Sequence, residues 1–153
     1  IFELLWREFF FLVSEKYRHR IFLKGGIQNK KVTYKNDMSL LEKWQTASTN
    51  DDLVNANIKE LITTGYLSNR GRQIVANYLI HNLQIDWRYG ATFFEKHLID
   101  YDVTQNWCNW MYIAGVGNDT RSSGFDLEFQ KKRYDPLSTY SSQWKNVDIK
   151  SIV

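Results

Sequence analysis

The sequence predicts an all-α fold in a single domain, and three observations predict it. Apolar residues recur at helical spacing, strand-like alternation is scarce, and Pro136 is the one proline in 153 residues. That length suits one ordinary domain. A hydrophobic share of 43% with 24% charged residues fits a globular chain and disfavours disorder.

The elements follow in order. Residues 2–14 carry Phe2, Leu5, Trp6, Phe9, Phe10, Leu12 and Val13, an apolar arc wide enough to predict a helix buried on most of its circumference. Gly25-Gly26 and the polar run after them read as an excursion loop over residues 24–34. Asp37 can cap a short helix bearing Leu40, Leu41 and Trp44. Asn50 and Asp51 are caps for the next, which carries Leu53, Val54, Ile58, Leu61 and Ile62 and stops at Gly65. Ile74, Val75, Tyr78 and Leu79 mark a helix closing at Leu83. Phe93, Phe94, His97 and Leu98 mark another, after Gly90. From residue 100 to about 126 the periodicity dissolves, which predicts a long ordered loop packed by the aromatic cluster around Trp107 to Tyr112.

Exclusions are direct. The lone Cys108 rules out an intramolecular disulfide and any cage of cysteines around zinc or iron and sulfur. His19, His81 and His97 lack metal-ligand spacing, so no metal is expected. Every apolar stretch is broken by charge within a few residues, so no membrane span is expected. Nothing resembles a signal peptide or a hydrolase triad. The chain opens at Ile1 inside a helical pattern and reads as a fragment of something longer, soluble and intracellular. A net charge of +3 permits a polyanionic partner without demanding one. Lys131, Lys132 and Arg133 read as a solvated face with little weight for phosphate contact.

Three groupings could carry chemistry. Asn69-Arg70-Gly71-Arg72-Gln73 opens a helix, either as an N-cap with two solvated arginines or as an anion or cofactor site. Asp100 and Asp102 flank Tyr101, either as caps or with one carboxylate turned inward to meet an arginine, for which Arg72 is the candidate. Asn106 and Asn109 flank Trp107, and a buried Asn can read the hydrogen-bonding edge of a ring system as readily as it satisfies a loop. Trp6, Trp87 and Trp110 lie on separate elements, as core residues or as something more.

Taken together, these segments resemble the photolyase and cryptochrome family. Glu3-Leu4-Leu5-Trp6-Arg7-Glu8-Phe9 is similar to one of its helices. Asn57-Ile58-Lys59-Glu60-Leu61, Thr64-Gly65-Tyr66 and Ser68-Asn69-Arg70-Gly71-Arg72-Gln73 follow its most recognisable run. Ile85-Asp86-Trp87-Arg88, Asp100-Tyr101-Asp102 and the stretch from Asn106-Trp107-Cys108-Asn109-Trp110 to Gly117-Asn118-Asp119 complete it, the last being similar to the DASH cryptochrome branch. The resemblance is collinear from Phe2 to about Trp144.

What the resemblance implies is specific. The fold would be the C-terminal part of a helical FAD-binding domain, with residues 1–153 a single-domain fragment. An N-terminal antenna domain, which would hold a pigment such as a folate, would be missing. The activity would be that of a deoxyribodipyrimidine photo-lyase, a carbon–carbon lyase that splits cyclobutane pyrimidine dimers with blue light, best in single-stranded DNA. A light-sensing flavoprotein without repair and an inactive helical remnant are the alternatives. FAD would be held by Arg72, Asp100, Tyr101, Asp102, Asn106, Asn69 and Arg7. Trp110 and Trp87 would be the proximal and middle members of an electron-hopping chain, with Asn106 facing the flavin. Glu3, Trp6, Gln73 and Tyr112 would line the pocket for the flipped dimer, and Asn69 and Arg70 would lie near the DNA backbone. The partner would be damaged DNA and the protein a monomer; taken alone, such a fragment is expected to hold FAD poorly.

Departures from the family pattern are also specific. Tyr34 stands where the distal tryptophan is usual. Asn50, Asp52 and Asn55 replace a Gly, a Pro and an Asp, which predicts a looser loop, and Thr120 stands where the DASH branch often has Pro.

Overall fold

The computed structural model describes residues 2–119, 124 and 126–149, and helices account for every regular element among them. In chain order the α-helices are α1 (Phe2–Tyr17), α2 (Met38–Gln45), α3 (Asp52–Thr64), α4 (Asn69–Asn77), α5 (Trp87–His97), α6 (Val103–Ile113), α7 (Leu127–Tyr134) and α8 (Thr139–Lys145), with short 3-10 turns at Arg18–Phe22 and Gly26–Gln28. A π turn, Tyr78–Asn82, continues α4. Thr120 lies outside the described residues.

Short polar side chains start most of these helices by accepting otherwise orphaned backbone donors. Asp37 accepts from Leu40 N at 3.0 Å, Asp51 from Val54 N at 3.0 Å and Asp102 from Gln105 N at 2.9 Å. Ser68, not Asn69, caps α4, by accepting from Gly71 N at 3.1 Å. Asn69 is therefore released from capping and stands one position inside the helix. Gly65 ends α3 in the left-handed region at φ 72°, where a side chain would be strained.

Four expectations need correction. The expected long loop over residues 100–126 contains a helix: α6 occupies Val103–Ile113, started by Asp102. Its buried side carries Thr104 and Asn106 beside Cys108, Trp110 and Met111, so polar residues interrupt the apolar pattern that would have revealed it. The helix expected after Gly90 begins three residues earlier, because Asp86 caps it by accepting from Arg88 N at 3.0 Å. α1 is not buried around its circumference. Only Phe10 and Val13 are buried, while Phe2, Leu4, Phe11 and Leu12 stay exposed, since α1 meets α6 along a single stripe. Finally, the loop before α3 is tight. Thr49 N and Oγ1 donate to Asn55 Oδ1 at 2.9 and 2.7 Å, and Asn55 Nδ2 returns a bond to Thr49 O at 2.9 Å.

The core gathers Trp44, Trp87 and Trp110 with Ile58, Leu61, Leu67 and Leu79, each at 2% exposure or less. α5 packs on α6, α6 on α1, and α3 on α4 and α8. This places the start of α4, the turn after α5 and one side of α6 around a common hollow. Of the basic triplet on α7, Lys131 is paired, 3.0 Å from both Asp51 and Glu128. Asp51 thus both caps α3 and ties α7 to it. Asp51→Ala is expected to lower stability by about 1–2 kcal/mol, and Asp51→Asn, which keeps the cap, by clearly less. Urea midpoints at an unchanged slope measure both.

Candidate functional site

The hollow holds a cleft of about 300 Å³. Three segments distant in sequence reach it. From α4 comes Arg72, whose Nε donates to the Leu67 carbonyl at 2.8 Å while one terminal nitrogen meets the two Asp100 oxygens at 3.0 and 2.8 Å. The pairing of Arg72 with Asp100 is as expected, but it sits at the rim. The side chains are 28% and 50% exposed, so the pair orients more than it stabilises. From the turn after α5 come Asp100, Tyr101 and Asp102. Burial pushes the Tyr101 phenol up from its ordinary value, keeping it neutral.

From α6 come Asn106 and Trp110. Asn106 is 8% exposed and its amide nitrogen donates to the Ala91 carbonyl at 2.9 Å, which fixes the side chain against α5 at the cleft wall. Trp110 is 2% exposed and meets Phe94 edge-on with centroids 5.0 Å apart and Trp44 at 6.3 Å. Gly90 allows this: a Cβ there would overlap the Trp110 ring and stand 2.8 Å from Leu79 Cδ2. With Leu98 and Ala76, these rings make one side of the cleft apolar, facing a charged rim.

A second cleft, of about 380 Å³, adjoins the first. Glu3, Trp6, Arg7 and Phe10 of α1 line one side of it and Tyr112 the other. Trp6 and Tyr112 face each other with centroids 5.8 Å apart. Asn69, Gln73, Gln105, Asn109 and Ile113 line both clefts. Asn69 and Gln73 are four apart on α4, and Gln105 and Asn109 four apart on α6, so each pair shares a helix face. Asn109 Nδ2 donates to the Gln105 carbonyl at 2.7 Å, and Gln105 Nε2 donates to Arg7 O at 3.0 Å, joining the wall to α1. Two hollows thus lie on either side of a wall of amides.

The sequence-expected residues fall into place unevenly. Arg72, Asp100, Tyr101, Asp102, Asn106 and Trp110 line the first cleft; Glu3, Trp6 and Tyr112 line the second; Asn69 and Gln73 line both. Arg7, expected at the cofactor, lines the second cleft. Arg70 lines neither, its guanidinium lying 5.0 Å from the Tyr134 ring centre. Trp87 also lies outside both. It is fully buried, donates its indole N–H to Lys24 O at 3.1 Å, and packs against Trp107 at 5.7 Å. Sequence reasoning missed Gln105, whose signal was its spacing from Asn109, and Trp44 and Phe94, whose proximity to Trp110 leaves no local trace. Among the described residues no group of three or more His, Cys, Asp or Glu gathers as a metal site, and no helix is long and apolar enough to cross a membrane. Burial pushes the Cys108 thiol up to about 12, so it is a neutral packing group.

Comparison with known proteins agrees with this geometry. Residues 1–147 match the family model of the FAD binding domain of DNA photolyase. A cryptochrome DASH of Synechocystis sp. is 50% identical over 145 residues, 94% of this chain and 30% of that protein. One from Oryza sativa is 46% identical over 145 residues, 94% of this chain and 25% of that protein. The crystal structure of the Synechocystis sp. PCC6803 cryptochrome superposes with a TM-score of 0.90 at 48% identity, over 99% of this chain and 32% of that one. A photolyase from Sulfolobus tokodaii, solved with two FAD molecules, gives 0.86 at 31% identity over 98% and 35%. The chain spans about 30% of the length of the Synechocystis relative. With an all-helical scaffold, an arginine–aspartate rim over an aromatic wall and this family match, the chain belongs to the FAD-binding domain of the DNA photolyase and cryptochrome family.

Proposed function

We propose that this chain forms the part of a DASH-type photolyase that holds FAD beside two cross-linked neighbouring bases, and that the whole protein splits cyclobutane pyrimidine dimers in single-stranded DNA under blue light. One observation carries the reading: the two clefts adjoin and share the lining residues Asn69, Gln73, Gln105, Asn109 and Ile113. Electron transfer falls steeply with distance, so donor and acceptor sites must adjoin.

The residues of the first cleft fit a flavin. Trp110, Phe94 and Leu98 offer an apolar side to a flat ring system, while Asn106 presents a side chain already fixed at its amide end. The Arg72 guanidinium, held by Asp100 and the Leu67 carbonyl, supplies a fixed positive charge at the rim. When bound, reduced FAD supplies on illumination the electron that opens the cyclobutane ring, and takes it back once the ring is open. The protein's own part is to position and to exclude water. Trp6 and Tyr112 offer aromatic surfaces to two bases taken out of the stack, and Glu3 and Gln73 offer hydrogen bonds to their polar edges. The exposed aromatic mouth at Trp6 favours repair over signalling alone, which needs the flavin cleft and not the second one.

The test is light-driven dimer repair by the FAD-loaded full-length protein carrying these residues. Glu3→Ala combined with Trp6→Ala is expected to lower repair about 100-fold or more, two lost contacts of about 1–3 kcal/mol each, with flavin content unchanged. Repair at the unsubstituted rate would sink the assignment of the second cleft.

A further inference from the structure

Resting on the assignment of Trp110 and Trp87 to an electron route, we propose that this route reaches the surface at Trp107 and not at Tyr34. Trp87 cannot itself be the end. It is fully buried, and its indole N–H is held by the Lys24 carbonyl, so no water can take its proton. Two aromatic residues lead outward from its neighbourhood, and their surroundings differ in kind.

Tyr34 occupies the position where a distal tryptophan would stand, but its setting opposes oxidation. A phenol gives up an electron readily only when its proton leaves as well. The Tyr34 hydroxyl is buried without a hydrogen-bond partner, so nothing is placed to receive that proton. The nearby Asp86 is occupied, capping α5 and gripping Arg88 through contacts of 2.8 to 3.2 Å. The Lys24 ammonium lies 5.3 Å from the centre of the Tyr34 ring, where it disfavours a second positive charge. Burial also raises the Tyr34 pKa, in the same sense.

Trp107 has the opposite setting. Its ring meets Trp87 edge-on with centroids 5.7 Å apart at 76°, and Phe22 meets it from another side at 4.9 Å. Among the described residues no cation lies over it. An indole can first give up an electron alone and lose its proton afterwards, and the N–H of the half-buried Trp107 donates to the Tyr101 phenol, which in turn donates to the exposed Glu95, a path by which that proton can leave. The balanced sequence is short. One electron passes from Trp110 to a light-excited oxidised flavin, one from Trp87 to Trp110 and one from Trp107 to Trp87. The Trp107 N–H proton passes to the Tyr101 oxygen as the phenol gives its own proton to the exposed Glu95 carboxylate, leaving a neutral indolyl radical on the half-buried Trp107.

The experiment is flash photolysis with spin-resonance detection on the FAD-loaded full-length protein, in forms Trp107→Phe, Tyr34→Phe and Trp110→Phe. None of these readouts depends on dimer repair. The long-lived radical is expected to carry a tryptophan signature, to be lost in Trp107→Phe and to persist in Tyr34→Phe. Trp107→Tyr, which keeps an aromatic ring in contact with Trp87, is expected to restore a radical with a tyrosyl spectrum; a purely structural role would not produce that change. A tyrosyl radical in the unsubstituted protein that vanishes in Tyr34→Phe and survives Trp107→Phe would overturn the proposal. Trp110→Phe separates the two layers of the argument: loss of all radicals supports the inner route, and an undiminished radical refutes it, whichever residue is the outlet.

Discussion

Replacing Gly90 by alanine is expected to destabilise the protein by about 1–3 kcal/mol, although alanine is the better helix former by about 1 kcal/mol. The sign reverses because of space. Gly90 lies inside α5, and an added methyl would overlap the edge of the Trp110 ring and press on Leu79. Neither can withdraw: Leu79 is fully buried, and Trp110 is held between Phe94 and Trp44. Close-packed interiors pass such strain onward, and here it passes into the cleft wall that Trp110 forms. The same substitution should therefore weaken FAD retention as well as stability. Thermal unfolding and flavin content after gel filtration measure the two effects. An alanine variant as stable as the parent would mean that the Trp110 ring is free to move.

The second large effect is expected at Arg72. Arg72→Ala removes the one guanidinium that lines the first cleft among the described residues and leaves Asp100 and the Leu67 carbonyl without their partner. Because the pair is partly exposed, global stability should fall by less than about 1 kcal/mol. FAD affinity should fall about 10- to 100-fold, the range for losing one or two charge-assisted hydrogen bonds. Arg72→Lys should recover little, because an ammonium cannot reach the Leu67 carbonyl and Asp100 with the geometry of a planar fork. Fluorescence titration with FAD distinguishes the three proteins. Equal affinities would remove Arg72 from the cofactor site.

Much of the fold was legible because short-range chemistry decides it. Asp37, Asp51 and Gly65 mark their helix ends by side-chain capping and a left-handed turn, and both signals are local. α6 was illegible for a related reason. A helix that lines a polar cleft carries Gln105, Asn106 and Asn109 where a core helix would carry leucine, so its periodicity resembles a loop. α1 misled in the other direction: its apolar arc predicts burial, but the described residues cover only one stripe of it. That one of the carboxylates Asp100 and Asp102 would meet Arg72 could be anticipated from charge, while the choice of Asp100 came from the family resemblance. The sharing of Asn69 and Gln73 between two clefts could not be anticipated, since it depends on how α1, α4 and α6 converge. Likewise the contacts of Trp110 with Trp44, and of Trp87 with Trp107, are tertiary and leave no spacing in the sequence.

The adjacency of the two clefts is the central claim, and the flavin itself can report on it. FAD-loaded full-length protein would be titrated in the dark with a single-stranded oligonucleotide containing one thymine dimer, following the flavin absorption bands. A dimer seated across the wall of Asn69, Gln73, Gln105 and Asn109 should displace water beside the ring and shift those bands. An undamaged oligonucleotide should not, and the shift should be lost in Trp6→Ala. Binding of the damaged strand with an unaltered flavin spectrum would contradict the account, since the damaged bases would then lie elsewhere.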